Sequence, residues 1–187
     1  MKVAWTLILL AGMAAVLPAW TMAQGTGPDA DLLAKANSGN AAAQVLVGES
    51  YAGGTGVAKD LKLAAEWYRK AADKGDIAGE LHLAGLYRDG GKGFARDMAQ
   101  AAAWYRKAAE QGDAGAQGTL GLLYSFGQGV AQNYVEAYYW LDLAAHAKGP
   151  RQEQYAASRQ LMGAHITAEE LEDVQERVAR WLAAHPR

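Results

Sequence analysis

The sequence predicts an all-α fold, a right-handed α-superhelix of stacked antiparallel helix pairs, and three observations predict it. The block Ala64 to Ala72 recurs 37 residues later as Ala101 to Ala109, and 36 residues further on as Ala137 to Ala145. Within each block the apolar positions keep helical spacing: Ala64, Trp67, Tyr68, Ala71 and Ala72 fall at i, i+3, i+4, i+7 and i+8, a single amphipathic stripe. Upstream of each block stands a tyrosine followed by glycines and an apolar residue: Tyr51, Gly54, Gly56, Val57; Tyr87, Gly91, Gly93, Phe94; Tyr124, Gly127, Gly129, Val130. One helix pair cannot bury its own apolar faces, but stacked pairs can, so a period of this length built from helices predicts a solenoid.

The elements follow in order. Met1 and Lys2 precede an apolar run from Val3 to Leu17 that ends at Pro18, followed by Thr21-Met22-Ala23. This is the pattern of a secretory leader over 1–23, cut after Ala23; the alternative is an uncleaved membrane anchor using everything from Val3 to Ala23. Residues 24–187 are then a single domain. Its opening half repeat, 29–40, is a lone second-type helix, because Ala36-Asn37-Ser38-Gly39-Asn40 is in phase with Ala72-Asp73-Lys74-Gly75-Asp76. Three repeats follow at 41–76, 77–113 and 114–149. The first helix of each (A) begins after Asn40, Asp76 or Asp113. The second (B) begins after Asp60, Asp97 or Asn133, short polar residues able to accept orphan amides of a first turn. Asp97 with Gln100 and Asn133 with Glu136 have capping-box spacing, and Gly75 and Gly112 mark the ends of B helices. Small residues, Ala43 and Gly48, Gly79 and Ala84, Ala116 and Gly121, are expected to face Ala64, Ala101 and Ala137 where A and B cross. Tyr51, Trp67, Tyr87, Trp104, Tyr124 and Trp140 are the expected structural core. A degenerate pair, 151–162 and 168–183, caps the stack over 150–187, its second helix opened by Thr167 with Glu170 three residues on.

Composition narrows the chemistry. The chain has 187 residues, no cysteine, and 18 Lys+Arg against 20 Asp+Glu for a formal net charge of −2. Disulfides, thiolate nucleophiles and Cys-type zinc or iron–sulfur sites are excluded, and there is no basic stripe of the kind a nucleic-acid partner requires. His82, His146, His165 and His185 are isolated from one another, and no HExxH, Ser-x-x-Lys or Gly-x-Ser-x-Gly occurs. Gly53-Gly54-Thr55-Gly56 lacks the Lys-Ser/Thr of a phosphate loop and reads as a turn. Glu169, Glu170, Glu172 and Asp173 read as a solvated first turn, and the Arg69-Lys70 and Arg106-Lys107 pairs as solvated outer charges or an anionic-partner patch. No catalytic residue, metal ligand or cofactor is expected.

The run Leu120-Gly121-x-x-Tyr124-x-x-Gly127-x-Gly129-Val130, then Ala137-x-x-Trp140-x-x-x-Ala144-Ala145, resembles the Sel1-like repeat, a relative of the tetratricopeptide repeat. Residues 40–147 carry the resemblance; Ala84 and Asn133 depart from the pattern, which prefers Gly and Asp there. It implies an α-superhelical scaffold for protein–protein contact, with bacterial members often exported to the envelope. Some cysteine-rich relatives are associated with binding or hydrolysing β-lactams, and this chain lacks those cysteines.

The expected role is therefore a non-catalytic, exported adaptor, periplasmic or secreted, holding a protein or peptide segment of the cell envelope. A cell-wall or β-lactam-binding protein with weak hydrolase activity, or a secreted factor acting on host cells, are the alternatives. By analogy with helical superhelices the A helices line the groove; their residues not assigned to packing are Val45, Glu49, Ala52, Leu81, Gly85, Arg88, Asp89, Gly118, Leu122, Ser125 and Phe126, of which Val45, Glu49, Leu81, Arg88, Asp89, Leu122, Ser125 and Phe126 are the expected partner-binding residues. Leu81, Leu122 and Phe126 would form an apolar strip with a charged rim. A membrane is a partner only if the leader is uncleaved.

Overall fold

The computed structural model describes residues 27–186; the leader expected at 1–23 lies outside these residues. The described residues form nine helices: α1 (Ala30–Asn37), α2 (Ala41–Gly53), α3 (Leu61–Ala72), α4 (Ile77–Asp89), α5 (Met98–Glu110), α6 (Ala114–Phe126), α7 (Tyr134–His146), α8 (Gln152–Gly163) and α9 (Ala168–Ala184). Among them the only extended pairing is an isolated bridge between Gly91 and Phe94. The pairs α2/α3, α4/α5 and α6/α7 are the three repeats, stacked as an all-α solenoid.

Local chemistry starts and stops each helix where the sequence places the signals. Asn40, Asp76 and Asp113 accept the amides of Ala43, Gly79 and Ala116 at 2.7–2.9 Å. At the B helices, Asp60 accepts from Lys62 and Leu63, Asp97 from Gln100, and Asn133 from Glu136. The amide of each B cap also donates back to the tyrosine carbonyl near the end of its A helix: Asp60 to Tyr51 at 2.9 Å, Asp97 to Tyr87 at 2.7 Å, Asn133 to Tyr124 at 3.0 Å. This bond closes the intervening loop, and left-handed glycines at Gly54 and Gly127 turn the chain into it. Of the expected capping boxes, only the one at Thr167 and Glu170 is reciprocal. Glu136 cannot close its box because its carboxylate is taken by Arg177 at 2.7 Å.

The core runs without interruption from Val45 to Val178. Trp104 and Trp140 are 5% and 4% exposed, whereas Trp67 is half-buried, since only the short α1 layer packs outside it. The small residues divide into two sets. Gly121 lies where α6 crosses its own α7; a Cβ there would stand 2.7 Å from Leu141 Cγ and 3.1 Å from the Ala137 carbonyl. Gly79 faces the preceding repeat instead of Ala101, with its absent Cβ 2.8 Å from Ala71 Cβ and Ala72 N. It sits one turn nearer the helix start, where α4 meets the end of α3, so bulk there would push two repeats apart.

At the C-terminal end α8 and α9 lie on different sides of α7. Tyr155 of α8 fills the space above Gly118 of α6, and Arg159 of α8 binds Asp142 of α7 at 2.5 Å. Val174 and Val178 of α9 enter the main core, Trp181 lies against Gly112, and Arg177 sits 4.5 Å above the Tyr139 ring. Tyr138 and Tyr139, which stand where the earlier repeats have Ala65-Glu66 and Ala102-Ala103, are thereby covered by the two terminal helices, Tyr138 by Arg159 and Tyr139 by Arg177.

Candidate functional site

The A-helix face of the second repeat carries two adjoining hollows; a separate one of about 530 Å³ lies between α7 and α8, lined by Ala145, His146, Gln152 and Arg159. Leu81 and Gly85, one turn apart on α4, make a ridge between two open hollows. One, of about 350 Å³, is lined by Ala52, Tyr68, His82 and Leu86 beside the ridge. The other, of about 380 Å³, is lined by Arg88, Tyr105, Thr119 and Arg151. At Gly85 nothing lies within 4 Å of the place a Cβ would occupy, so backbone is open to a visitor there.

Charged groups frame the ridge in fixed positions. Arg88 donates to both oxygens of Asp89, at 2.7 and 2.8 Å, and to the Tyr105 hydroxyl at 2.9 Å. This bidentate bond holds the Asp89 carboxyl below the usual carboxylate range and the guanidinium firmly protonated. His82 Nε2 stands 3.1 Å from Glu49, and its ring stacks on Tyr68 at 4.8 Å. Burial, with the nearby Glu49 charge, pushes the Tyr68 hydroxyl up to about 12. Among the described residues no group of three or more His, Cys, Asp or Glu could hold a metal ion.

Of the residues expected in a groove, the structure gathers Leu81, Arg88 and Asp89, with Glu49 reaching in through His82. Val45 is not there: it is 6% exposed, in the main core. Ser125 is 5% exposed and donates to the Leu122 carbonyl at 2.8 Å, so it too is interior. Leu122 packs on the cluster of Leu141, Ala144 and Tyr155, while Phe126 is 69% exposed at the end of α6 and lines neither hollow. The expected strip of Leu81, Leu122 and Phe126 is therefore not continuous. The cause is α8, which occupies the A-helix position of a fourth layer and covers this part of α6. Sequence reasoning missed its contributions, Arg151 and Tyr155, although their signal was available: Tyr155 stands 37 residues after Gly118, which stands 37 after Leu81.

The outer charge pairs also have a different place. Lys70 lies 3.7 Å above the Trp67 ring and Lys107 3.8 Å above Trp104. Arg69 donates to the Tyr87 hydroxyl at 2.6 Å, and Arg106 donates to Tyr124, each 18 residues ahead in the next repeat. At the third repeat the corresponding position is Asp142, 5% exposed, and its partner Arg159 comes from α8. The arginines thus tie neighbouring layers together, while the lysines lie over tryptophans of their own helices.

Comparison with known proteins agrees with this architecture. The family described as Sel1 repeat matches residues 41–76, 78–113 and 114–148. The crystal structure of a Sel1 repeat protein from Oxalobacter formigenes is similar at 38% identity and a TM-score of 0.60, over 65% of this chain and 50% of that one. The structure of c5321, a protective antigen present in uropathogenic Escherichia coli strains and displaying an SLR fold, matches at 24% identity and a TM-score of 0.43, over 81% of this chain and 47% of that one. The chain thus spans about half the length of each of these solved structures. No curated protein matches it.

Proposed function

Because the chain belongs to the Sel1 repeat family, whose members generally mediate protein–protein interaction, we propose that it is a non-catalytic, exported adaptor that holds a segment of another envelope protein across the A-helix face of its second and third repeats. The observation that carries this reading is the Leu81–Gly85 ridge with a hollow on either side. Two adjacent recesses suit side chains on one face of a bound segment, alternate ones if it is extended, and the uncovered backbone at Gly85 lets its main chain come close. The rim supplies fixed polarity of both signs through the Arg88–Asp89 pair and Arg151. Export is supported by the leader pattern of residues 1–23.

The test is site-specific photocrosslinking in the native host. A crosslinker at Gly85 or Thr119 is expected to trap one and the same partner peptide, and Leu81→Ala to weaken the adduct by more than the loss of folded protein, read from its melting curve, accounts for. A crosslinker at Glu176, on the exposed side of α9 and lining neither hollow, serves as control. Adducts that form at Glu176 alone, or turnover of a cell-wall or β-lactam substrate by the purified chain, would overturn the proposal.

A further inference from the structure

The fourth residue of each A helix is Gln44, Glu80 or Gln117, and all three are buried. Gln44 Nε2 donates to the Ala36 carbonyl at 3.0 Å, and Gln117 Nε2 to the Ala109 carbonyl at 3.1 Å. In both cases the acceptor lies eight residues back, at the end of the preceding helix, so the amide pins one layer to the next. Eight residues before Glu80 is Ala72, the last residue of α3. The surrounding backbone repeats as well: the amides of Gly39, Gly75 and Gly112 donate to the carbonyls of Ala36, Ala72 and Ala109 at 2.9–3.1 Å. The same carbonyl is thus presented in the same way, but a carboxyl group stands where the other repeats have an NH2 donor.

Glu80 is 2% exposed, and one of its oxygens, Oε2, accepts from Gln111 Nε2 at 2.8 Å. An ionised carboxylate has no hydrogen to give, so it cannot make to the carbonyl eight residues back the bond that Gln44 and Gln117 make. We propose that Glu80 keeps its proton in the folded chain and donates it to the Ala72 carbonyl, making the joint between the first two repeats a proton-dependent latch.

The neighbouring charges fit this. From α5 come Lys107, which favours the ionised form, and Glu110, which opposes it; Asp76 at the cap of α4 also opposes it. The start of α4 meets Ala71 and Ala72 of α3, and Glu49 of α2 is engaged with His82. Burial is the largest influence and holds the Glu80 carboxyl above its ordinary range, against the pull of Gln111 and Lys107. With the folded value raised, the stability this group supplies is full below the unfolded value and is lost as pH rises through the folded one. Loss of the proton would loosen α4 from α3, and the next residue along α4 is Leu81, the ridge of the proposed binding face.

Two measurements on the full chain test it. In a carboxyl 13C NMR titration, Glu80 is expected to stay protonated after the exposed glutamates have ionised; titration together with them would overturn the proposal. Glu80→Gln restores the amide of the other repeats and is expected to raise Tm at pH 8 by about 2–4 °C and to remove the decline in Tm between pH 5 and pH 8. A lower Tm at pH 8, or an unchanged pH profile, would refute the latch. Gln44→Glu is expected to install the same decline at the first joint; the wild-type titration decides the matter even if either variant fails to fold.

Discussion

Residues that occupy the same position in each repeat do not carry equal weight, because their neighbours differ. Trp104 has a complete layer on each side and is 5% exposed; Trp104→Ala is expected to cost about 3–5 kcal/mol in a denaturant titration. Trp67→Ala is expected to cost distinctly less, since that ring is half-buried beneath α1 alone. Glycine sets the opposite limit. Tyr155 occupies the volume a side chain at residue 118 would need, so bulk there must displace the Tyr155 ring and with it α8. Gly118→Ala is therefore expected to destabilise by about 1–3 kcal/mol, the range for overpacking, with α8 losing its hydrogen-exchange protection first.

The helices themselves were legible in the sequence to within a residue or two, because caps, turn glycines and a period-3.6 stripe all act over one or two turns. Asp60, Asp97 and Asn133 open B helices where their side chains say they should. What was not legible depends on contacts between layers. Nothing local tells Val45 from Leu81, residues 36 positions apart at equivalent places; one faces the core and the other the hollows. Likewise Glu136 has capping-box spacing, yet it serves α9 through Arg177, 41 residues away. That tie, with Val174 and Val178, is what seats α9. Val178→Asp is expected to release the helix, seen as rapid exchange of residues 168–184 while the amides of α4–α6 stay protected.

In the whole molecule each layer touches only its neighbours, so stability is distributed along the stack. α1 buries only Ala36 and is expected to be the first helix to exchange, whereas α5–α7, covered on both sides, should exchange last and at the global unfolding free energy. The bracket between layers runs from arginine to tyrosine at the first two joints and reverses at the third, where Asp142 receives Arg159. That reversal gives the array a grammar. A duplicated copy of residues 77–113 spliced in ahead of residue 114 would find a compatible hook and eye at both seams, producing a longer rod of unchanged construction. The same cassette inserted after the third repeat would set its own copy of Arg106 against Arg159, two cations at one seam, so the molecule admits lengthening in its middle and resists it at that end.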